Sequence, residues 1–510
     1  MKILLYIGFI CLTIGLSRSA KVIILTQYHG SHIIYHAKIA RLLADEGHAV
    51  DIILPTSYRI PDSLKGGSNV RILAHRKDSQ SSDCHIEKRS KMLLDYAMSE
   101  STLEKLVIYT KLRMHTDPIL DQTCKTLLND AKLRKQLNTT DYDVAVVDLL
   151  SLECYWSLMD GWNIPVVTVG IYAYEWALRV PALPSFVPIL YSSLDDRMTF
   201  WERVKNSVLY ITSHLLLTSI LSRPPYSIPS ISRSSLYFAL DDVGMDYPRP
   251  TMPNLIFIGD AIPDPGKPLP ADIAAFVDGA EHGVVLVSFG SYLRRLPTGL
   301  TDKFCDAFKR IPQKVIWKQD NATLSGVDPD KVLMRSWLPQ NDLLSHPNVK
   351  LLVSHCGRNS ILEAIYHATP IIGFPTDVDQ PYNARMVASR RFGSRMDFGD
   401  FSATELATKI IETIADETVS YNIRRASFLL RNKPDTPSKR MSYWVEHLAT
   451  YGDDHLRSGA MHLNILQFYC IDVILVFIMV IGLMLIITYY TLKSIYRCFR
   501  GTSGLKRKSD

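Results

Sequence analysis

The chain has 510 residues, 47% of them hydrophobic, and a net charge of +6. That length accommodates two or three domains with sizeable cores. The charge is mild and forms no basic stripe interleaved with aromatics, which argues against a nucleic-acid partner.

In chain order, Met1-Lys2 is followed by the apolar run "ILLYIGFICLTIGL" and the small residues Ser17 and Ser19. This pattern predicts a signal peptide over 1–19, cut after Ser19, with a signal anchor as the alternative. The run is short for a membrane span. "KVIILT" (Lys21–Thr26) reads as a buried strand, and a helix through "AKIARLLADEG" ends at Gly47. "HAVDIIL", "YDVAVVD" (Tyr142–Asp148) and "IPVVTV" (Ile164–Val169) read as further strands. Alternation of strands with helices predicts a parallel sheet.

Pro and Gly cluster between Pro248 and Pro270, where we place the connection between a domain over 20–250 and a second over 251–468. The second set of elements starts at "GVVLVSFGS" (Gly283–Ser291). It continues through the helix "LTDKFCDAFKRI" and the strands "KVIWK", "VKLLVSH" and "TPIIGFP". The expected fold class is therefore α/β, with two Rossmann-like halves in series. No GxGxxG follows the first strand and no GxxxxGK[ST] occurs, which disfavours a dinucleotide oxidoreductase or an NTPase.

Val473–Thr491 holds 19 residues without a charge. That is about 28 Å of helix at about 1.5 Å per residue, close to the hydrocarbon thickness of a bilayer. We predict a transmembrane helix over 469–492. The tail, 493–510, carries Lys493, Arg497, Arg500, Lys506, Arg507 and Lys508 against Asp510 alone. Positive charge marks the cytosolic side, so the body is expected to be luminal, in single-pass type I orientation. "KRKSD" resembles a dilysine retrieval signal of the endoplasmic reticulum; a stop-transfer cluster is the alternative. Asn138 and Asn321 head glycosylation sequons. The five cysteines of the luminal body (Cys84, Cys124, Cys154, Cys305 and Cys356) form no disulfide framework legible by spacing. No CxxC pair suggests a metal site.

The densest chemistry lies in "VSHCGRNSILEAIYH" (Val353–His367), a joint between a strand and a helix. In open α/β sheets, ligands bind beyond the carboxyl ends of the strands, where helix N-termini offer unpaired amides to anions. Gly357 allows close backbone approach, Asn359 or Ser360 can cap the helix, and His355 adds a ring donor. A phosphate or diphosphate suits that site, and Glu363 stands where a carboxylate can accept from ribose hydroxyls. The plain alternative is a capped turn with a solvated glutamate. Two more loops follow strands of the same half. "SWLPQNDLLSHP" holds Trp337 and Gln340, and "TDVDQPYNA" holds Asp379 and Gln380. An indole can stack on a base; an acid beside an amide suits sugar hydroxyls.

The stretch from Trp337 through "VSHCGRNSILEAIYHATPIIGFPTDVDQPYNARMV" closely resembles the donor-binding signature of the UDP-glycosyltransferases, the family that includes the UDP-glucuronosyltransferases. The likeness extends over nearly the whole mature chain. It implies a GT-B fold: two Rossmann-like domains facing a cleft, acceptor side first and UDP-sugar side second. By that resemblance Trp337 and Gln340 hold the uracil, and Ser291, His355, Gly357, Asn359 and Ser360 the diphosphate. Glu363 holds the ribose, and Asp379 with Gln380 the sugar. Three histidines, His29, His32 and His36, stand around the first strand–helix joint, and the pattern alone does not choose among them. The resemblance selects His32 as base with Asp148 behind it, and leaves His29 and His36 structural. Imidazole titrates in the range such a base needs, and a carboxylate fixes its tautomer.

The implied reaction is inverting transfer of a hexose from a UDP-sugar to a hydroxyl of a small lipophilic acceptor, with no metal or other cofactor. The alternative is a non-catalytic nucleotide-sugar or lipid-binding member of the same fold; a homo-oligomer is left open. Three departures stand out. Cys356 replaces the first residue of the family's usual Gly-Gly, Leu149 replaces a frequent Pro, and the segment from Tyr210 to Tyr237 is shorter than usual. Several stretches look nearest to the branch that includes ceramide galactosyltransferase. That enzyme has His where this chain has Gln380, which favours glucose or glucuronate as donor sugar.

Overall fold

The structure is a computed structural model. It describes residues 19–505 except 27–29, 56–59, 66–68, 76–82, 100–101, 150–152, 173–179, 181, 191, 221–233, 292, 321–327 and 377–378. Residues 1–18 of the expected leader, His29, Asn321, residues 221–233 of the short segment before Tyr237 and the basic end 506–510 lie outside the described residues.

The first sheet is built from runs of Val, Ile and Leu that are buried on both faces, as parallel strands covered by helices must be. Its elements are β1 (Lys21–Leu25), α1 (Gly30–Asp45), β2 (Ala49–Pro55), β3 (Val70–His75), α2 (Asp83–Met98), α3 (Thr102–Leu128), α4 (Ala131–Asn138), β4 (Val144–Asp148), α5 (Glu153–Leu158), β5 (Val166–Gly170), α6 (Phe200–Ile220), β6 (Leu236–Ala239) and β7 (Leu255–Phe257). The strands lie in the order β3-β2-β1-β4-β5-β6-β7, and every pairing is parallel. Because β7 pairs with β6, the first sheet reaches Phe257, past the boundary expected at 250.

The second sheet follows with α7 (Ala271–Asp278), β8 (Val284–Ser288), α8 (Thr298–Phe308), β9 (Lys314–Lys318), β10 (Val332–Arg335), α9 (Gln340–Leu344), β11 (Val349–Ser354), α10 (Arg358–Tyr366), β12 (Ile371–Gly373), α11 (Gln380–Ser389) and β13 (Gly393–Arg395). Its order is β10-β9-β8-β11-β12-β13, again all parallel. Three helices close the body: α12 (Ala403–Ala415), α13 (Glu417–Arg431) and α14 (Pro437–Tyr451). α14 returns to the first half. Its Ser442 Oγ lies 2.8 Å from His48 Nε2, and its Ser438 donates to Glu46 at 2.6 Å. Residues up to Leu456 form one compact unit. One apolar cluster runs through it from Val22 and Ile24 past Phe238 to Leu352 and Ile361.

Residues Arg457–Asp510 form a second unit. It contains α15 (Ile465–Phe468) and α16 (Ile471–Leu505). Over Ile471–Phe499, α16 reaches a mean hydropathy of 2.9 with none of that window buried. Its length and composition fit a bilayer crossing.

Spacing gave no disulfide, but tertiary structure pairs Cys124 of α3 with Cys154 of α5, Cα atoms 5.4 Å apart across 30 residues. Closing a loop of that length is worth about 3.6 kcal/mol in the chain-entropy account. Cys154→Ser in the full chain should therefore lower the thermal-shift midpoint in detergent and abolish the mobility difference between reduced and unreduced protein. An unchanged midpoint would show that the pair does not form.

Candidate active site

Both sheets reverse their strand order at one point, and crevices open at the carboxyl ends of the two strands that flank such a reversal. In the first sheet those strands are β1 and β4, with Leu25 opposite Val147. His32 lies in the first turn of α1, and Asp148 is the last residue of β4. They meet although 116 residues separate them: His32 Nδ1 lies 2.6 Å from Asp148 Oδ2. Asp148 is 1% exposed, whereas the His32 side chain keeps an open edge. Burial pushes the Asp148 carboxyl up, but His32, His36 and the Tyr35 hydroxyl outweigh it, and the pKa falls to about 2. His36 is fully enclosed. Burial drives its pKa down to about 4, and its ring shares a 3.0 Å hydrogen bond with the His32 carbonyl. Its ring is neutral at pH 7.

In the second sheet the reversal lies between β8 and β11, with Ser288 opposite Ser354. Ser291 follows the first of these strands and His355 the second. The His355 ring is clasped between two glycines. A Cβ at Gly290 would fall 2.6 Å from Nε2, and one at Gly357 2.5 Å. Burial and the Lys318 ammonium lower the His355 pKa to about 4, against a hydrogen bond to the main chain of Ser288. Cys356 adopts a φ of 63°, in the left-handed region that costs a side-chain-bearing residue roughly 1–2 kcal/mol. Glycine at this position would carry no such cost.

The expected cap is not formed. Gly357 occupies the N-cap of α10 without a side-chain bond, and Asn359 and Ser360 belong to the first turn. Their amides are among those a helix leaves unpaired. Ser360 Oγ instead accepts from Gln340 Nε2 at 3.0 Å, and the same amide donates to Glu363 Oε2 at 2.7 Å. Burial raises the Glu363 pKa to about 7, against the Gln340 bond and Lys318. Trp337, between β10 and α9, is 51% exposed. Past β12, Asp379 Oδ2 accepts from Asn383 Nδ2 at 2.8 Å and from the Tyr172 hydroxyl at 3.3 Å. Gln380 Oε1 accepts from the Thr376 amide and hydroxyl at 2.8 and 2.7 Å.

Several contributors escaped sequence reasoning. Tyr172, just past β5, reaches Asp379, so the carboxyl end of β5 meets the loop after β12. Lys318 ends β9 and donates to the Gly290 carbonyl at 3.2 Å; burial and Arg294 lower its pKa, against Asp320 and Glu363. Its place at a strand's carboxyl end was a usable signal. Arg358 gave none. It opens α10, is 3% exposed, stacks 4.5 Å over the Tyr172 ring and donates to the Leu240 carbonyl at 2.9 Å. It also binds Asp241, and Asp246 at 3.2 Å. Burial pushes Asp241 up, while at Asp246 Arg249 and Arg358 outweigh burial and hold the carboxyl down. Removing one partner from such a buried group costs about 3–5 kcal/mol.

The family profile described as "UDP-glucoronosyl and UDP-glucosyl transferase" matches residues 20–509. The chain belongs to this family and is a UDP-glycosyltransferase. It is 30% identical to the UDP-glucuronosyltransferase 2B1 of Rattus norvegicus, over 95% of this chain and 94% of that protein. It is 29% identical to the rat 2-hydroxyacylsphingosine 1-beta-galactosyltransferase, over 96% and 92%. Among solved structures, Os79 from O. sativa in complex with U2F and trichothecene superposes with a TM-score of 0.60 at 15% identity, over 84% of this chain and all of that one. The fold is GT-B.

The clasp around His355 can be broken directly. Gly290 has a φ of 81°, and its Cβ would meet the ring, whereas a Cβ at Gly299 would meet nothing within 4 Å. Gly290→Ala should weaken UDP binding at least tenfold by calorimetry, and Gly299→Ala should leave it unchanged. Equal affinities would remove the imidazole from the nucleotide site.

Proposed function

We propose that this chain transfers a hexose from a UDP-sugar, with inversion, to a hydroxyl of a small lipophilic acceptor. The contact between His32 and Asp148, at the strand reversal of the first sheet, is the observation that carries this reading.

The acceptor hydroxyl gives its proton to His32 Nε2. Its oxygen forms the new bond at the anomeric carbon, while the bond from that carbon to the β-phosphate oxygen breaks and its electron pair leaves on UDP. An α-linked donor thus yields a β-glycoside. Asp148, ionised at every working pH, holds Nδ1 and stabilises the imidazolium. Trp337 stacks on the uracil, and the Gln340 carbonyl reads its edge. Ser291, His355, Gly357, Asn359 and Ser360 surround the diphosphate, and Glu363 accepts from the ribose. Asp379 and Gln380 hold the sugar, and Gln380 favours glucose or glucuronate. Lys318 adds a cation beside Gly290 that no motif supplied. With His355 and the first-turn amides of α10 it meets the leaving group's charge, so the mechanism requires no metal.

α16 anchors the protein in the endoplasmic-reticulum membrane with the body luminal. Asn138, exposed at the end of α4, is open to glycosylation, and a disulfide within the body suits an oxidising lumen.

Membrane fractions offered UDP-glucose, UDP-galactose, UDP-glucuronate and UDP-N-acetylglucosamine against a panel of phenols should transfer a hexose. His32→Ala should keep UDP affinity and lose on the order of 10²–10⁴ in rate; wild-type transfer would refute the mechanism. His355→Ala should instead weaken UDP binding, and unaltered binding would take it out of the donor site.

A further inference from the structure

Asp148 carries one donor more than a histidine–carboxylate pair needs. Tyr35 lies one helical turn beyond His32, on the same face of α1. It is 1% exposed, so its hydroxyl has no water to turn to and must find a partner inside. It finds the reaction centre: Tyr35 Oη lies 2.5 Å from Asp148 Oδ2 and 2.7 Å from His32 Nδ1. A carboxylate oxygen has two lone pairs. On Oδ2 one meets the imidazole Nδ1–H and the other the phenol. Neutral His36 backs the phenol ring, with centroids 4.5 Å apart.

We propose that Tyr35 is a positioning residue of the transfer reaction: its hydroxyl shares Asp148 Oδ2 with His32, keeps Nε2 turned to the acceptor, and limits how strongly the carboxylate favours the imidazolium. This rests on the assignment of His32 as base. The phenol donates to Asp148, so part of the carboxylate's charge is already committed when the proton reaches Nε2. Tyr35 Oη, in turn, faces Nδ1 with a lone pair and restrains ring rotation. The proton and electron bookkeeping of the transfer is unchanged; the tyrosine keeps its own proton throughout.

Among the described residues, the titratable groups against Asp148 are His32, Tyr35 and His36, all from α1. Several charges on α1 and on elements packed around it are engaged elsewhere. Arg71 of β3 binds Asp51 of β2, and Asp62 of the turn after β2 binds Lys65. Glu446 of α14 accepts from Ser442, and Lys38 of α1 pairs with Asp264.

The test is the pH profile of kcat/KM for a phenol acceptor in the full-length, membrane-bound enzyme. Tyr35→Phe keeps the ring's volume and removes the competing donor. Its acid limb should move up by roughly half a pH unit or more, because hydrogen bonds to a charged group shift such balances by that order. UDP affinity should stay as in wild type, which also reports that the variant folds. The second variant works in the opposite direction: a fluorinated tyrosine at position 35, a stronger donor of nearly the same size, should move the limb down. A limb that stays in place in both, or shifts the wrong way in either, overturns the role of Tyr35. Failure of the underlying assignment looks different, since His32→Ala would then transfer normally.

Discussion

A parallel sheet wound outward in both directions from two neighbouring strands leaves the carboxyl ends of those strands uncovered by the connections that leave them. The proposed site follows from having that reversal twice. At β1 and β4 it brings a histidine from the start of a helix against the aspartate that ends a strand. At β8 and β11 it brings Ser291 and His355 to one rim, with a helix start behind them. No side chain has to reach far, because adjacent strands lie about 4.8 Å apart and their following residues must emerge together.

Buried polar contacts tie the two halves together near the carboxyl ends of their sheets. Tyr172 from the first half touches Asp379 from the second. Arg358, the first residue of the donor-loop helix, is bound by Asp241, Asp246 and the Leu240 carbonyl from the segment after β6. Such a cluster adds little net stability over an apolar one, but it is costly to break, and it accepts only one register. The carboxylate assigned to the sugar is therefore held by residues of the half that would carry the acceptor.

Electrostatics divide the site by task. Asp148 stays ionised beside His32, the proposed base. Burial keeps His36 neutral. In the second half, Glu363 and Lys318 are pulled toward neutrality by burial. In the proposed site each would become a better partner once a ribose or a diphosphate lay against it.

Strand runs such as "VVLVS" and "VAVVD", the turn of pattern into "HCGRNS", and the apolar 19-residue stretch near the end were all legible without coordinates. Local periodicity encodes element type, and a family's ligand loops are short and contiguous. Residues whose meaning depends on a distant partner were silent. Nothing near Cys124 points to Cys154, nothing near Arg358 points to Asp241, and Tyr35 reads as one more apolar-face residue until the end of β4 is laid beside it. The cap expected from Asn359 or Ser360 failed for the same reason: Gln340, from another loop, claims Ser360. Sequence determined the two sheets, the apolar C-terminal helix and the motif loops that carry the proposed site, because those are local patterns. Only tertiary structure decided which side chains share a hydrogen bond, because strand order, which a linear chain does not display, sets which ends become neighbours.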